Sequence, residues 1–403
     1  MTSEKAPRWP LEGLKVLDLG QIYNGPYAGF LFAHAGADVV KVEPPDGEAL
    51  RKRGGGMGLP LSFAMLNTNK RGIAIDLKSD GGKALLVELA GEADVLLENF
   101  APGALDRLGV GPEVMMKANP RLIYGSSTGY GLSGPDRDNL AMDLTIQAVG
   151  GVMSINGLEN GPPLKTGLAI CDFLGAVHLY SGIMTALYER SVTGRGRLVE
   201  VSMEEALYPA LASNLASLQR GGWKPPVRRG NRHPTFGSSP YNVYPCRDGH
   251  IAIICVREIH WINLLQVMGR QDLAGEKRFA TQALRAQHED EIDAIVENWL
   301  KDLPKAKATQ ILKDNRIPAA PVRDLVEVTA DRHMRERGML HDVDHPEMGH
   351  IVLPTSPLRF GDSPEPELRP EPGIGEHNAD VLADWLGYDA KRIAALTASG
   401  VLC

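Results

Sequence analysis

The 403-residue sequence predicts an α/β fold, a parallel sheet covered on both faces, joined to a smaller α+β domain. Three observations predict it. Apolar strand-like runs alternate with helix-like segments up to residue 131. A Gly-, Pro- and Arg-rich stretch follows at 221–240. Beyond it the pattern changes to a hairpin and amphipathic helices.

The elements follow in order. LKVLDL (14–19) reads as a strand, GQIYNGPYAGFLFAHAG as a glycine-rich turn and helix, and ADVVKVE (37–43) as a second strand. RGIAIDL (71–77), the helix SDGGKALLVELAGEA with Ser79 or Asp80 near its cap, and DVLLENF (94–100) repeat that unit. LIYGSSTGYG (122–131) adds another strand. Ligands of such sheets bind beyond the carboxyl ends of the strands. The expected domains are 1–220, 221–337, and a segment 338–403 that returns to the first. In the second, YNVYPCRDGHIAIICV (241–256) reads as a hairpin turning at Asp248-Gly249. Strands in GMLHDVDHPEMGHIVLPTSPLRF and a helix in NADVLADWLGY complete the chain, with no repeat of solenoid length.

Composition narrows the function classes. A hydrophobic content of 43% supports a sizeable core. A net charge of -7 and a pI near 5.9 give no electrostatic reason to expect nucleic acid or an anionic membrane as partner. No apolar stretch reads as a membrane span, and MTSEKAPRWP lacks the apolar core of a secretory signal, so a cytoplasmic location is expected. Cys171, Cys246, Cys255 and Cys403 form no CxxC pair, which argues for reduced structural thiols rather than zinc or disulfides.

Several constellations invite chemistry. GQIYNGPYAG, with Glu43 closing the next strand, is placed like a dinucleotide loop, yet Gly20, Gly25 and Gly29 miss the GxGxxG spacing. His341, His345 and His350 lie among acids, but Pro346 and Gly349 break any helical HxxxH, and a solvated hairpin accounts for them without a metal. Cys171 is a candidate nucleophile, although buried structural cysteines are commoner. Asp172 stands before an apolar helical run, expected to be a buried helix, that includes Phe173, Ala176, Val177, Leu179, Tyr180, Ile183, Met184, Leu187 and Tyr188. One reading makes it a helix N-cap. The other makes it a carboxylate kept ionised by free N–H groups beside a developing oxyanion.

A resemblance weighs these readings. DLGQIYNGPYAGFLFAHAGADVVKVEPP (18–45), LNTNKRGIAIDLKSDGGKALL (66–86), ADVLLENFAPGALDRLG (93–109), GLAICDFLGA and ALYERSVTGRGRLVEVSM together resemble the family III CoA-transferases, the CaiB/BaiF group. The resemblance implies a Rossmann-like large domain, an interlocked homodimer, and coenzyme A as cosubstrate with no tightly bound cofactor or metal. It implies Asp172 as nucleophile, with Asp143 as a second catalytic candidate. Position by position it also implies CoA contacts from Ile22, Tyr23, Asn69, Lys70, Asn99, Arg107 and Met142, with Lys70 and Arg107 answering phosphates. A lid is expected at Gly237, Ser238 and Ser239, near His233. Tyr23 stands where formyl-CoA-transferring members carry glutamine, and Pro44 replaces a basic residue.

The expected reaction moves CoA from a thioester such as succinyl-CoA to a carboxylic acid. Arg228, Arg229, Arg232 and His233 suggest charge for a dicarboxylate such as mesaconate. The alternative is the related α-methylacyl-CoA racemase, which needs a histidine before its aspartate. Here Met142 precedes Asp143, and methionine cannot transfer a proton. An inactive CoA-binding protein is a further alternative, against which the intact Asp172, Asn69 and Lys70 stand.

Overall fold

The computed structural model describes residues 9–54, 58–225, 228–233, 238–364 and 367–403. The chain divides into two compact units, one formed by 1–150, 167–209 and 331–403, the other by 151–166 and 210–330. This corrects the expected boundaries, because 151–166 belongs to the smaller unit and the crossings fall near 210 and 331.

The larger unit runs β1 (Lys15–Asp18), α1 (Asn24–Ala33), β2 (Asp38–Glu43), α2 (Leu61–Asn67), β3 (Arg71–Ala74), α3 (Asp80–Glu92) and β4 (Val95–Glu98). It continues through α4 (Ala104–Arg107), α5 (Pro112–Ala118), β5 (Ile123–Thr128) and α6 (Asp143–Val149). After α7 (Val152–Ile155), which lies in the other unit, come α8 (Ile170–Thr193), β6 (Arg197–Ser202) and α9 (Met203–Leu207). The six strands pair in the order β3-β2-β1-β4-β5-β6, all parallel.

Alternation along each strand builds the two covering layers. Val16, Val39, Val95 and Ile123 point to one face, where Phe32 and Ala28 of α1 and Ala176, Leu179 and Ile183 of α8 cover them. Leu17, Val40, Leu96 and Tyr124 point to the other, against Leu85 and Leu89 of α3 and Met115 of α5. Ser79 caps α3, its hydroxyl accepting the Gly82 N–H at 3.0 Å. At the C-terminal end the larger unit adds α16 (Arg332–Glu336), the hairpin β10 (Leu340–His345) and β11 (Gly349–Pro354), α17 (Asn378–Leu386) and α18 (Ala390–Ala398). Val381, Leu382 and Trp385 of α17 join the α3 side of the core, and Leu402 bridges to Ile75.

The smaller unit holds α7, α10 (Ala212–Arg220), the hairpin β7 (Tyr241–Cys246) and β8 (Gly249–Ile254), helices α11 (Glu258–Met268), α12 (Gln282–Gln287), α13 (Glu289–Leu300) and α14 (Lys305–Asp314), β9 (Ala319–Pro321) and α15 (Leu325–Thr329). Its antiparallel sheet, β7-β8-β9, closes over Trp261, Leu264, Ile292, Val296 and Leu312. The hairpin turns at Arg247-Asp248, one residue earlier than expected, because Cys246 pairs with Gly249.

Two further expectations need correction. Helix α8 is long and apolar enough, by length and composition, to cross a membrane. It also is not buried all round, since Phe173, Val177, Tyr188 and Val192 are exposed while Cys171, Gly175, Ala176, Leu179, Ile183 and Ala186 face the sheet side. Its apolar character on the inner face comes from covering β5 and β6.

Candidate active site

The strand order reverses between β1 and β4, and the loops leaving their carboxyl ends diverge there to open a crevice. Asn99, just after β4, spans that crevice. Its Oδ1 accepts the Gln21 N–H at 2.7 Å and its Nδ2 donates to the Gln21 carbonyl at 3.0 Å. Next along the loop, Ile22 has φ +63°, a left-handed conformation that a β-branched residue adopts only under constraint. The constraint is visible, because the Ile22 N–H donates to Glu48 Oε2 at 3.1 Å.

The glycines here serve close packing instead of a pyrophosphate. A Cβ on Gly20 would lie 2.6 Å from the Gly25 backbone, and one on Gly25 2.9 Å from Asn99 Oδ1. The loop therefore folds onto itself and onto Asn99. Tyr23 then leads into α1, and its ring stacks on Phe173 at a centroid distance of 6.3 Å, while Tyr27 meets Phe173 edge-on at 4.8 Å. These rings bring the β1 loop against the start of α8.

Asp172 sits in the first turn of α8, but the N-cap is Ala169, so the capping reading of Asp172 is wrong. The cap comes from α6, where Asp143 Oδ1 accepts the Cys171 N–H at 2.8 Å. Gln147, fully buried, holds the other Asp143 oxygen at 2.6 Å and also donates to the Leu168 carbonyl. Asp172 itself makes no hydrogen bond or ion pair among the described residues. Burial pushes its carboxyl up to about 7, Asp143 adds to the rise, and the charge of Arg53 opposes it. A Cβ at Gly175, one turn on, would fall 2.3 Å from Asn24 Nδ2, so glycine there lets α8 seat against the end of the β1 loop. Cys171 is fully buried and its thiol is pushed up to about 12, which leaves it inert as a nucleophile.

The other expected CoA residues are placed differently. Lys70 is buried with its three donors spent on Asp18 (2.7 Å), the Pro26 carbonyl (2.8 Å) and Asn67 (2.9 Å), so it pins β1 to α1 and presents no charge to a phosphate. Asn69, at φ +63°, donates to the Glu367 carbonyl and accepts the Arg369 N–H, which clamps the returning C-terminal segment. Arg107 ends α4 exposed, as does Met142 at the start of α6.

Sequence reasoning missed the cleft itself. A cavity of about 490 Å³ lies beyond β1, β2 and β3, lined by Gln21, Val42, Pro44, Leu77, Lys78, Phe100 and Leu108 among others. Its residues come from loops with no sharp motif, although Pro44 and the ENF segment border it.

In the smaller unit, Ser238 and Ser239 are buried, Ser238 Oγ accepting from Gln282 at 2.8 Å and the Ser239 carbonyl from Arg285 at 3.1 Å. They are packed, and so form no exposed lid. Gly237 lies outside the described residues. His233 packs edge-on against Tyr241 at 5.3 Å. The basic group at 228–232 is not free for substrate: Arg229 pairs with Glu289, Arg232 with Asp290 and Asp293, and Arg228 donates to the Leu158 and Gly161 carbonyls. Of the three hairpin histidines, His345 bonds Glu371 at 2.7 Å and His341 the Gly338 carbonyl, while His350 lies beside Asp342 and Asp344. The described residues contain no cluster that could hold a metal.

Comparison with known proteins follows the same residues. The model of CoA-transferase family III matches residues 11–378. A formyl-CoA:oxalate CoA-transferase of Streptomyces coelicolor is 36% identical, covering 97% of this chain and 99% of its own. A succinyl-CoA–D-citramalate CoA-transferase of Chloroflexus aurantiacus is 32% identical over the full length of both. A crystal structure of a CaiB/BaiF family protein from Brucella suis superposes with a TM-score of 0.83 at 32% identity, over 94% of this chain and 99% of that one. The chain belongs to CoA-transferase family III and is a CoA-transferase.

Proposed function

We propose that the enzyme exchanges CoA between an acyl-CoA thioester and a small dicarboxylic acid, with Asp172 as the covalent nucleophile. The observation that carries this reading is the Asp172 carboxylate: half-buried, without a bond of its own, in the first turn of a helix capped by another residue. A carboxylate so placed is free to attack.

Attack of an Asp172 oxygen on the thioester carbonyl expels CoA thiolate and leaves a mixed anhydride. The thiol's ordinary pKa near 8.5 makes it a good leaving group. The thiolate then attacks the Asp172 carbonyl of the anhydride, releasing the first acid and forming an aspartyl-CoA thioester. The incoming carboxylate attacks that thioester to give a second anhydride, and thiolate attack on its acyl carbon restores Asp172. The positive end of the α8 dipole favours the negative charge of each tetrahedral intermediate. The aromatic group of Tyr23, Tyr27 and Phe173 shields the anhydride from water.

We assign the cleft beside Gln21 to the CoA nucleotide, with Leu77, Phe100 and Leu108 against the base and Lys78 at its phosphates, joined by the exposed Arg107, which neighbours the lining residue Leu108 in sequence. Lys78 replaces Lys70 in that role. Dicarboxylates fit the relatives, whose names contain oxalate, succinyl and citramalate. Succinyl-CoA with mesaconate is the first pair to try. The exposed apolar strip of Phe173, Val177, Tyr188 and Val192 on α8, with Leu198 on β6, supports a homodimer, and the four free thiols suit a cytoplasmic enzyme. No observation favours the racemase.

Mass spectrometry after incubation with a panel of acyl-CoA thioesters and acceptor acids, followed by hydroxylamine or borohydride trapping, tests the reading. An acyl or CoA adduct on Asp172, absent in Asp172→Ala, is expected. Solvent exchange of the α-proton of a 2-methylacyl-CoA without any adduct would overturn it.

A further inference from the structure

We propose that Arg53 binds the distal carboxylate of the acyl group and so selects dicarboxylic over monocarboxylic substrates. This rests on the transferase reading above. It follows from an account of the cations around the nucleophile. A diacid brings a second negative charge into a site that already holds Asp172 and Asp143, and like charges there oppose binding unless a cation answers them.

Most cations of this region are spent. Lys70 is enclosed by Asp18, Asn67 and a carbonyl; Lys41 is buried against Glu48 and the Gly20 carbonyl. Arg51 forks onto Glu43 at 2.7 and 2.8 Å and lies over the Phe63 ring at 4.0 Å. Lys52 pairs with Asp46, and Arg71 with Asp38 and Asp384. Arg53 differs. It is exposed, has no hydrogen bond or ion pair among the described residues, and its charge reaches Asp172.

The surrounding contacts anchor the segment that carries it. Arg53 is the third residue of a short 3-10 turn, Arg51–Gly54, whose first residue is locked to Glu43. Five residues earlier, Glu48 accepts the Ile22 N–H, which ties this segment to the residue preceding Tyr23. Tyr23 in turn stacks on Phe173, the neighbour of Asp172. An exposed guanidinium carried by this segment suits a planar carboxylate, which it can meet with two parallel hydrogen bonds. The clamps at 228–232 that could have served a diacid are already paired, so the discrimination falls to Arg53.

The test compares succinyl-CoA with butyryl-CoA, which has the same chain length without the distal carboxylate, in the rate of adduct formation on Asp172. For wild type the succinyl rate should exceed the butyryl rate. The ratio of the two should fall about tenfold in Arg53→Gln and be largely kept in Arg53→Lys; using the ratio cancels any effect of Arg53 on Asp172 itself. A ratio unchanged in Arg53→Gln, or a wild type that prefers butyryl-CoA, overturns the proposal while leaving the transferase reading intact. Labelling of Asp172 by no acyl-CoA in the wild type overturns that reading, and this proposal with it.

Discussion

Asp143 accepts the Cys171 N–H at 2.8 Å, so the carboxylate that caps α8 is supplied by another helix and stands close enough to raise the Asp172 carboxyl. The arrangement separates two jobs that one acid could not do together. Asp143 spends its oxygens on Cys171 and Gln147, while Asp172 keeps its own free.

Asp143→Asn should therefore retain the cap through its amide oxygen but remove a like charge from beside Asp172. The acid limb of the pH profile of kcat/KM is expected to move to lower pH. Asp143→Ala loses the cap as well and should cost about 1 kcal/mol of stability, the usual value of a capping side chain. Thermal melts beside pH profiles of both variants check this; an acid limb that stays in place in Asp143→Asn refutes it.

In the proposed reaction Asp172 must be ionised to attack, and burial raises its carboxyl to about 7. Activity of the wild type should fall as pH drops through that value. Stability carries the opposite sign. The folded pKa lies above the unfolded value, so stability present below about 4 is lost as pH rises towards 7. Asp172→Asn escapes this loss. Its melting temperature should gain on wild type between pH 5 and pH 8, and an equal difference at both would count against a buried carboxylate.

Much of this site was legible in the chain, for identifiable reasons. Strands β1 to β5 announced themselves through apolar runs bounded by Gly, Asp and Asn, and Asp172 stood out as an acid inside an apolar stretch. Strand β6 escaped because Leu198, Val199 and Val201 alternate with Arg197 and Glu200 at an exposed sheet edge, a weaker signal than a buried run. Residues 151–166 include the turn-rich NGLENGPP, but nothing in that composition says which unit the segment joins. Lys70 misled because sequence shows a charge but not its partner; Asp18, 52 residues away, becomes one only when β1 and the start of β3 are brought together. For the same reason Arg228, Arg229 and Arg232 read as a free basic loop when Glu289, Asp290 and Asp293 are their counter-ions.

Asn99 fixes the Gln21 backbone through both the oxygen and the nitrogen of its side-chain amide, next to Ile22 in its left-handed conformation. Asn99→Ala frees that loop beside the cleft. Two hydrogen bonds at about 1 kcal/mol each correspond to a rise of 10-fold or more in KM for the acyl-CoA, with kcat affected less. A lower kcat at unchanged KM would show that the loop serves chemistry and not CoA binding.

Lys70 and Lys78 offer a sharper contrast, because one is enclosed and the other lines the cleft. The Lys70 ammonium and the Asp18 carboxylate have no solvent exposure, and burial lowers the lysine to about 8 despite its partner. Removing one member of a buried pair leaves the other uncompensated, at a cost of about 3–5 kcal/mol. Lys70→Met should accordingly lower the melting temperature sharply, and the double variant Lys70→Met/Asp18→Leu should recover part of the loss. Lys78→Ala should melt as wild type does and bind CoA more weakly, by an amount that shrinks at high salt as a phosphate contact requires. If Lys70→Met instead folds normally and loses CoA affinity, its ammonium serves the nucleotide and the assignment of that charge to Lys78 is wrong.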